Sequence, residues 1–129
     1  MHCTRRCALN GLAFFRPSET QCKCGCGHDI DPRLLDRLNR LRYRCNFPLI
    51  LHSGARCIKH NAAVGGAKAS THLAGLAADI RWPVAPWDRV KLLREAVELG
   101  FSGFGFYTTF LHLDIRHIQG RSDSAWTGV

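Results

Sequence analysis

The sequence predicts an α+β fold, a small, mainly antiparallel sheet with helices packed on one side. Three observations carry this. The apolar positions change period along the chain, helical over 32–45 and 87–99, then short strand-like runs at 48–52, 76–82, 101–107 and 110–116. Most of the strands follow one another closely in the order helix, strand, strand, helix, strand, strand. The length is 129 residues with 46% hydrophobic and 22% charged residues, which fits a single domain (1–129) with a modest core and argues against disorder.

Each element has a local cause. Residues 1–13 are a poorly patterned arm, and Phe14 and Phe15 are expected to anchor it. Ser18 to Gly27 reads as loop. Asp31 and Pro32 open a helix as N-cap and first-turn proline. Leu34, Leu35, Leu38, Leu41 and Cys45 then line one side, and Arg33, Arg37, Arg40 and Arg44 form a solvated stripe on the other; the helix ends near Asn46. Pro48 to His52 is expected to be a buried strand, broken by Ser53-Gly54, with Arg56 at its end. Lys59 to Val64 forms a helical turn stopped by Gly65-Gly66. Ala67 to Gly75 is a loop of small residues, and Leu76 to Trp82 a second strand. Trp87 to Leu99 is a helix with Val90, Leu93 and Val97 inward and Gly100 past its end. Phe101 to Tyr107 and Phe110 to Arg116 are strands joined by a turn at Thr108-Thr109. The remainder is polar except for Trp126.

Eighteen Lys and Arg against ten Asp and Glu give a net charge of +8. An anionic partner is favoured, but no basic run of five or more appears, and a nucleic-acid face is not expected. No stretch approaches a membrane span, and MHCTRRCALNGLAFF lacks the apolar run of a signal peptide, so synthesis in the cytoplasm is expected. The seven cysteines (Cys3, Cys7, Cys22, Cys24, Cys26, Cys45, Cys57) are odd in number. CKCGCG is not the C-x2-C knuckle of a structural zinc site. Three readings stay open: inert thiols, disulfides formed after export, or a second, cysteine-based metal site that Cys3 and Cys7 could join.

Chemistry concentrates in two stretches. His72 and Asp79 are seven apart, wrong for one helix face but suited to a loop ligand and a ligand on the strand that the loop feeds, with Gly75 permitting the bend. His112 and Asp114 alternate on a strand and so face the same way. Two His and one Asp from this set leave a fourth position for water, the composition of a hydrolytic rather than a structural zinc site.

SGARCIKHNAAVGGAKASTHLAGLAADI resembles the signature of the zinc D-Ala-D-Ala carboxypeptidases, a family that includes phage endolysins, peptidoglycan endopeptidases and the Hedgehog signalling domain. Ser70, His72, Gly75 and Asp79 match its pattern, and FLHLDIR matches the subgroup with His-x-Asp on the late strand. The resemblance runs from about Phe14 through CKCGCG and GFGFY to Trp126. It implies His72, Asp79 and His112 as ligands of Zn2+, and Arg56 as a substrate contact whose planar fork holds a carboxylate or peptide carbonyl. Ser70 would orient substrate or a ligand, and Tyr107 would face the developing oxyanion or else pack in the core. One position departs: many relatives carry an acidic general base three residues before the last ligand, where this chain has Thr109. Asp114 then either takes the proton from the attacking water or holds His112 in its ligating tautomer; His117 and His60 are weaker base candidates.

The resemblance thus implies a monomeric zinc peptidase cutting peptidoglycan stem or cross-link peptides, with a catalytically inactive, zinc-containing binding module as the alternative. Without a signal peptide, it would reach the wall after holin release or in a phage particle.

Overall fold

The computed structural model describes residues 14–129; the arm and Cys3 and Cys7 lie outside them. In chain order the elements are α1 (Pro17–Thr20), α2 (Pro32–Cys45), β1 (Leu51–Ser53), α3 (Ile58–Ala63), β2 (Ala77–Arg81), α4 (Pro86–Glu98), β3 (Gly103–Phe106), β4 (Phe110–Asp114), a 3-10 turn (Arg116–Gln119) and β5 (Ser124–Thr127). The predicted α+β class holds. The sheet runs β1-β2-β4-β3-β5, antiparallel except where β5 lies parallel to β3.

Helix α2 forms for the reasons read from its sequence. The Asp31 carboxylate accepts the Arg33 amide at 2.8 Å, and Pro32 occupies the first turn. Asn46 closes the helix at φ 58°, a left-handed conformation that asparagine tolerates better than most side chains. Leu34, Leu38 and Leu41 are fully buried against the sheet. Each contributes roughly 1.5–3 kcal/mol. The arginine stripe is exposed in full or in part, as expected, though two of its members also reach α4 and the residue after it. Arg44 reaches Glu95 and Glu98 on α4 at 3.1 and 3.0 Å, and Arg37 Nε donates to the Leu99 carbonyl at 3.2 Å. Exposed pairs of this kind add only about 0–1 kcal/mol, so burial of the leucines, and not ion pairing, seats the helices.

Two expectations about apolar faces are corrected. In α4 it is Leu92 and Ala96 that are buried, while Val90 and Val97 are 44% and 63% exposed. The helix carries two apolar stripes, and of the expected set Leu93 does pack against the core. The 48–52 run is not a wholly buried strand: Leu49 and Leu51 point inward and Ile50 outward, because β1 is a sheet edge with one covered face. α1 overlaps the start of the expected loop, and β5 was not expected at all. Its residues are mostly exposed and carry no alternation that reads as a strand.

The sheet divides its faces by alternation. Ala78, Ile80, Leu111 and Leu113 turn toward α2 and α4. Asp79, His112 and Asp114 turn the other way. The register places Asp79 beside His112, His112 beside Gly105, and Gly105 beside Trp126 in one row across four strands.

Candidate metal centre

The polar face needs bare backbone on β3, which explains the glycines of GFGF. A Cβ at Gly103 would overlap the Asp114 carboxylate, and one at Gly105 would come within 2.8 Å of the Trp126 and Tyr107 rings. His72 reaches the same place from the 67–75 loop. Ser70 Oγ accepts the His72 amide at 3.2 Å, and the loop closes at Gly75, whose φ is +72° and where a Cβ would meet the Asp29 carbonyl at 2.9 Å.

Three donor atoms converge within 4.8 Å of one another, from His72, Asp79 and His112, all buried. His72 Nε2 is 3.2 Å and His112 Nδ1 3.1 Å from the same Asp79 Oδ1. The far side of each ring assigns its proton. His72 Nδ1 lies 2.7 Å from the Gly54 carbonyl, which can only accept, so Nδ1 carries the hydrogen. His112 Nε2 lies 2.7 Å from Asp114 Oδ2, again an acceptor. With both rings neutral, two nitrogen lone pairs and a carboxylate oxygen face one another with no proton between them. Such a trio could hold a cation. A nitrogen, nitrogen and oxygen donor set with room for a fourth ligand suits zinc.

Protons compete for the same lone pairs. Burial alone would lower the basicity of His112, but its contacts with Asp114 and Asp79 outweigh this and raise its pKa. Burial likewise pushes the Asp79 carboxyl up, yet His112 and His72 together hold it well below the usual carboxylate range.

Asp114 sits behind the centre, fully buried. Its oxygens accept from Arg116 Nη2 at 2.8 Å, Arg116 Nε at 3.0 Å, the Arg116 amide at 3.0 Å and Thr71 Oγ1 at 3.2 Å, besides His112. Burial opposes its ionisation, but His112 and Arg116 keep its pKa low. It lies across the His112 ring from the donor atom Nδ1.

In front lies a cleft of about 380 Å³ lined by all the other sequence-predicted site residues: Arg56, Ser70, His72, Asp79, Tyr107 and His112. Arg56 is half-buried, and its Nε has no hydrogen-bond partner among the described residues. Desolvation lowers its pKa, opposed by the charge of Asp79. Tyr107 stacks on Phe110 with centroids 4.5 Å apart and accepts Trp126 Nε1 at its hydroxyl at 3.0 Å. His117 pairs with Ser102 at 2.7 Å, and neither His117 nor His60 lines the cleft.

Sequence reasoning missed the Gly54 carbonyl, Thr71, Arg116 and Arg121 as site groups. Arg116 is two residues beyond Asp114, and that spacing was the available signal; its guanidinium also covers the Trp126 ring at 4.8 Å. Trp126 was read only as a closing aromatic, yet its ring lies 5.1 Å from that of His112. The remaining groups depend on loop conformation and leave no pattern.

Among the described residues no helix is long and apolar enough to cross a membrane. A family model described as Peptidase M15 matches residues 11–114, which contain the three candidate ligands. No curated protein matches the chain.

Proposed function

Because the chain belongs to the peptidase M15 family, whose members are zinc-dependent, we propose that it hydrolyses stem or cross-link peptides of peptidoglycan. The observation that carries this reading is the juxtaposition of the His72–Asp79–His112 centre with a cleft whose lining holds Arg56, Arg116 and Arg121 but one carboxylate, Asp79. Such a cleft suits a peptide bearing free carboxylates, as wall stems do.

When bound by His72, Asp79 and His112, zinc supplies Lewis acidity to the scissile carbonyl and lowers the pKa of water. The chain's own residues do the rest. Arg56 lines the cleft and offers its guanidinium to a substrate carboxylate or carbonyl. Ser70 holds the loop that carries His72, and Tyr107, fixed by Phe110 and Trp126, presents its hydroxyl at the cleft wall. Asp114 keeps the proton on His112 Nε2 and leaves Nδ1 free to ligate; its saturated oxygens and its place behind the ring support a positioning role over that of general base. The basic surface would retain the protein near an anionic wall, reached after holin release or from a phage particle.

A second reading, a module that binds wall peptides without cutting them, is favoured by one observation. With Thr109 at the expected base position, no acid besides Asp79 lines the cleft among the described residues. Mass spectrometry of material released from purified peptidoglycan separates the two. The peptidase reading expects new peptide termini with zinc-loaded protein and none after chelation or in Asp79→Ala. Co-sedimentation with walls of several chemotypes, without release from any, would establish the binding module instead.

A further inference from the structure

We propose that Cys22, Cys24, Cys26 and Cys57 form a second metal centre, a closed tetrathiolate site for zinc that clamps the 22–26 loop to the head of α3. All four sulfurs lie within 4.8 Å of one another. Three of the separations are Cys22–Cys24 3.4 Å, Cys24–Cys57 3.6 Å and Cys22–Cys57 3.8 Å. Zinc–sulfur bonds of about 2.3 Å in a tetrahedron require sulfur–sulfur edges of about 3.8 Å. Disulfide pairing joins sulfurs in twos at about 2.0 Å and gives no reason for a near-equilateral triangle with a fourth sulfur beside it.

The backbone is built for this convergence. On an extended strand, residues two apart are separated by nearly 7 Å. Here Gly25 and Gly27, at φ +83° and +88°, curl the loop, and Cys22 N donates to the His28 carbonyl at 2.7 Å to close it. The alternation CKCGCG therefore places i, i+2 and i+4 around one point, which a reading based on C-x2-C spacing overlooks. Backbone amides are aimed at the sulfurs: Cys57 N at Cys22 Sγ, 3.4 Å, and His60 N at Cys57 Sγ, 3.3 Å. A neutral thiol is a weak acceptor, and such amides suit thiolates on a metal. On binding, each thiol releases its proton to solvent and donates a lone pair to the cation. Four protein ligands leave no open position, so the centre is structural.

Its place gives it consequence. Cys57 follows Arg56, whose amide donates to the His72 carbonyl at 3.0 Å, and Gly54 accepts the His72 ring at 2.7 Å. Thr20, just before the loop, accepts the Ala55 amide at 2.9 Å. The clamp thus fixes the segment that holds both the cleft arginine and the first histidine.

The test is metal content and cobalt spectroscopy on the full chain, purified under reducing conditions without chelator. Elemental analysis is expected to give two zinc ions per chain, one for each ligand set, falling to one in Cys24→Ser/Cys26→Ser. Both cysteines are exposed, so that variant is suited to fold. The cobalt form should show thiolate-to-metal charge-transfer bands that vanish in this variant but persist in His72→Ala and in Cys3→Ser/Cys7→Ser. One zinc per chain, unchanged by Cys24→Ser/Cys26→Ser, would overturn the proposal. So would disulfides among these four cysteines in non-reducing peptide maps. None of these readings depends on whether a peptide is cut.

Discussion

Replacing Asp114 by Asn separates its two conceivable roles. The carboxylate is fully buried and accepts His112 Nε2 at 2.7 Å and Arg116 Nη2 at 2.8 Å. Hydrogen bonds to charged partners are worth about 1.5–3 kcal/mol each, and stripping one partner from a buried pair costs roughly 3–5 kcal/mol. Asn keeps the shape and one acceptor oxygen, which cannot serve both His112 and Arg116 as two ionised oxygens do. Loss of such a second partner behind a ligating histidine weakens metal binding about 10–100-fold, or about 1.4–2.8 kcal/mol. Zinc affinity, measured by competition with a chromogenic chelator, should fall by that factor. Peptide release at saturating zinc should recover substantially. If Asp114→Asn binds zinc as wild type does yet releases nothing at saturating metal, the positioning argument is refuted and Asp114 acts on the proton of the attacking water.

Other expectations follow from the same geometry. Gly103→Ala should lower zinc affinity and destabilise the fold by about 1–3 kcal/mol, because its methyl overlaps the Asp114 carboxylate; thermal melts with and without zinc read both effects. Arg56→Lys should raise KM more than it lowers kcat, since a point charge replaces a planar fork; steady-state kinetics on a defined stem peptide would check this. In chelated protein, Asp79 and Asp114, with pKa values held low, contribute stability that is present above their ordinary value near 3.8 and lost as pH falls below it. His112, with its pKa raised, contributes in the opposite sense: full below its ordinary value of 6.5 and lost as pH rises through the raised value. Denaturant titrations across pH 3–8 should therefore show the metal-free fold weakening at both ends, and zinc affinity should drop on acidification as protons occupy the ligand lone pairs.

The parts of the fold legible in the sequence were those in which one residue type does one job. Asp31-Pro32, the leucines of α2 and the alternating His112 and Asp114 behave as local rules require. His112 and Asp114 were legible as same-face neighbours because alternation on a strand fixes the face, whereas the choice of His72, Asp79 and His112 as ligands was implied by the family resemblance. Errors arose where tertiary packing chose between local options. Val90 and Val97 satisfied helical spacing as well as Leu92 and Ala96, and it is the latter pair that tertiary packing buries. β5 is a strand because β3 offers it an edge, not because SAWT is a strand former.

The division of labour across the sheet explains why the centre and the core could be read separately. Residues two apart on β4 share a face, so Leu111 and Leu113 bind the helices while His112 and Asp114 face the candidate metal centre, with no residue asked to do both. The price of that economy falls on β3, where Gly103 and Gly105 forgo side chains so that Asp114 and Trp126 can lie flat above them. Strand-borne ligands are held more rigidly than loop-borne ones. His72 is the only one of the three candidate ligands that depends on a loop, and that loop is the one tied down at Gly54, Arg56 and Gly75. Disturbance of the 22–26 loop should therefore reach the centre through His72 first, leaving Asp79 and His112 in place.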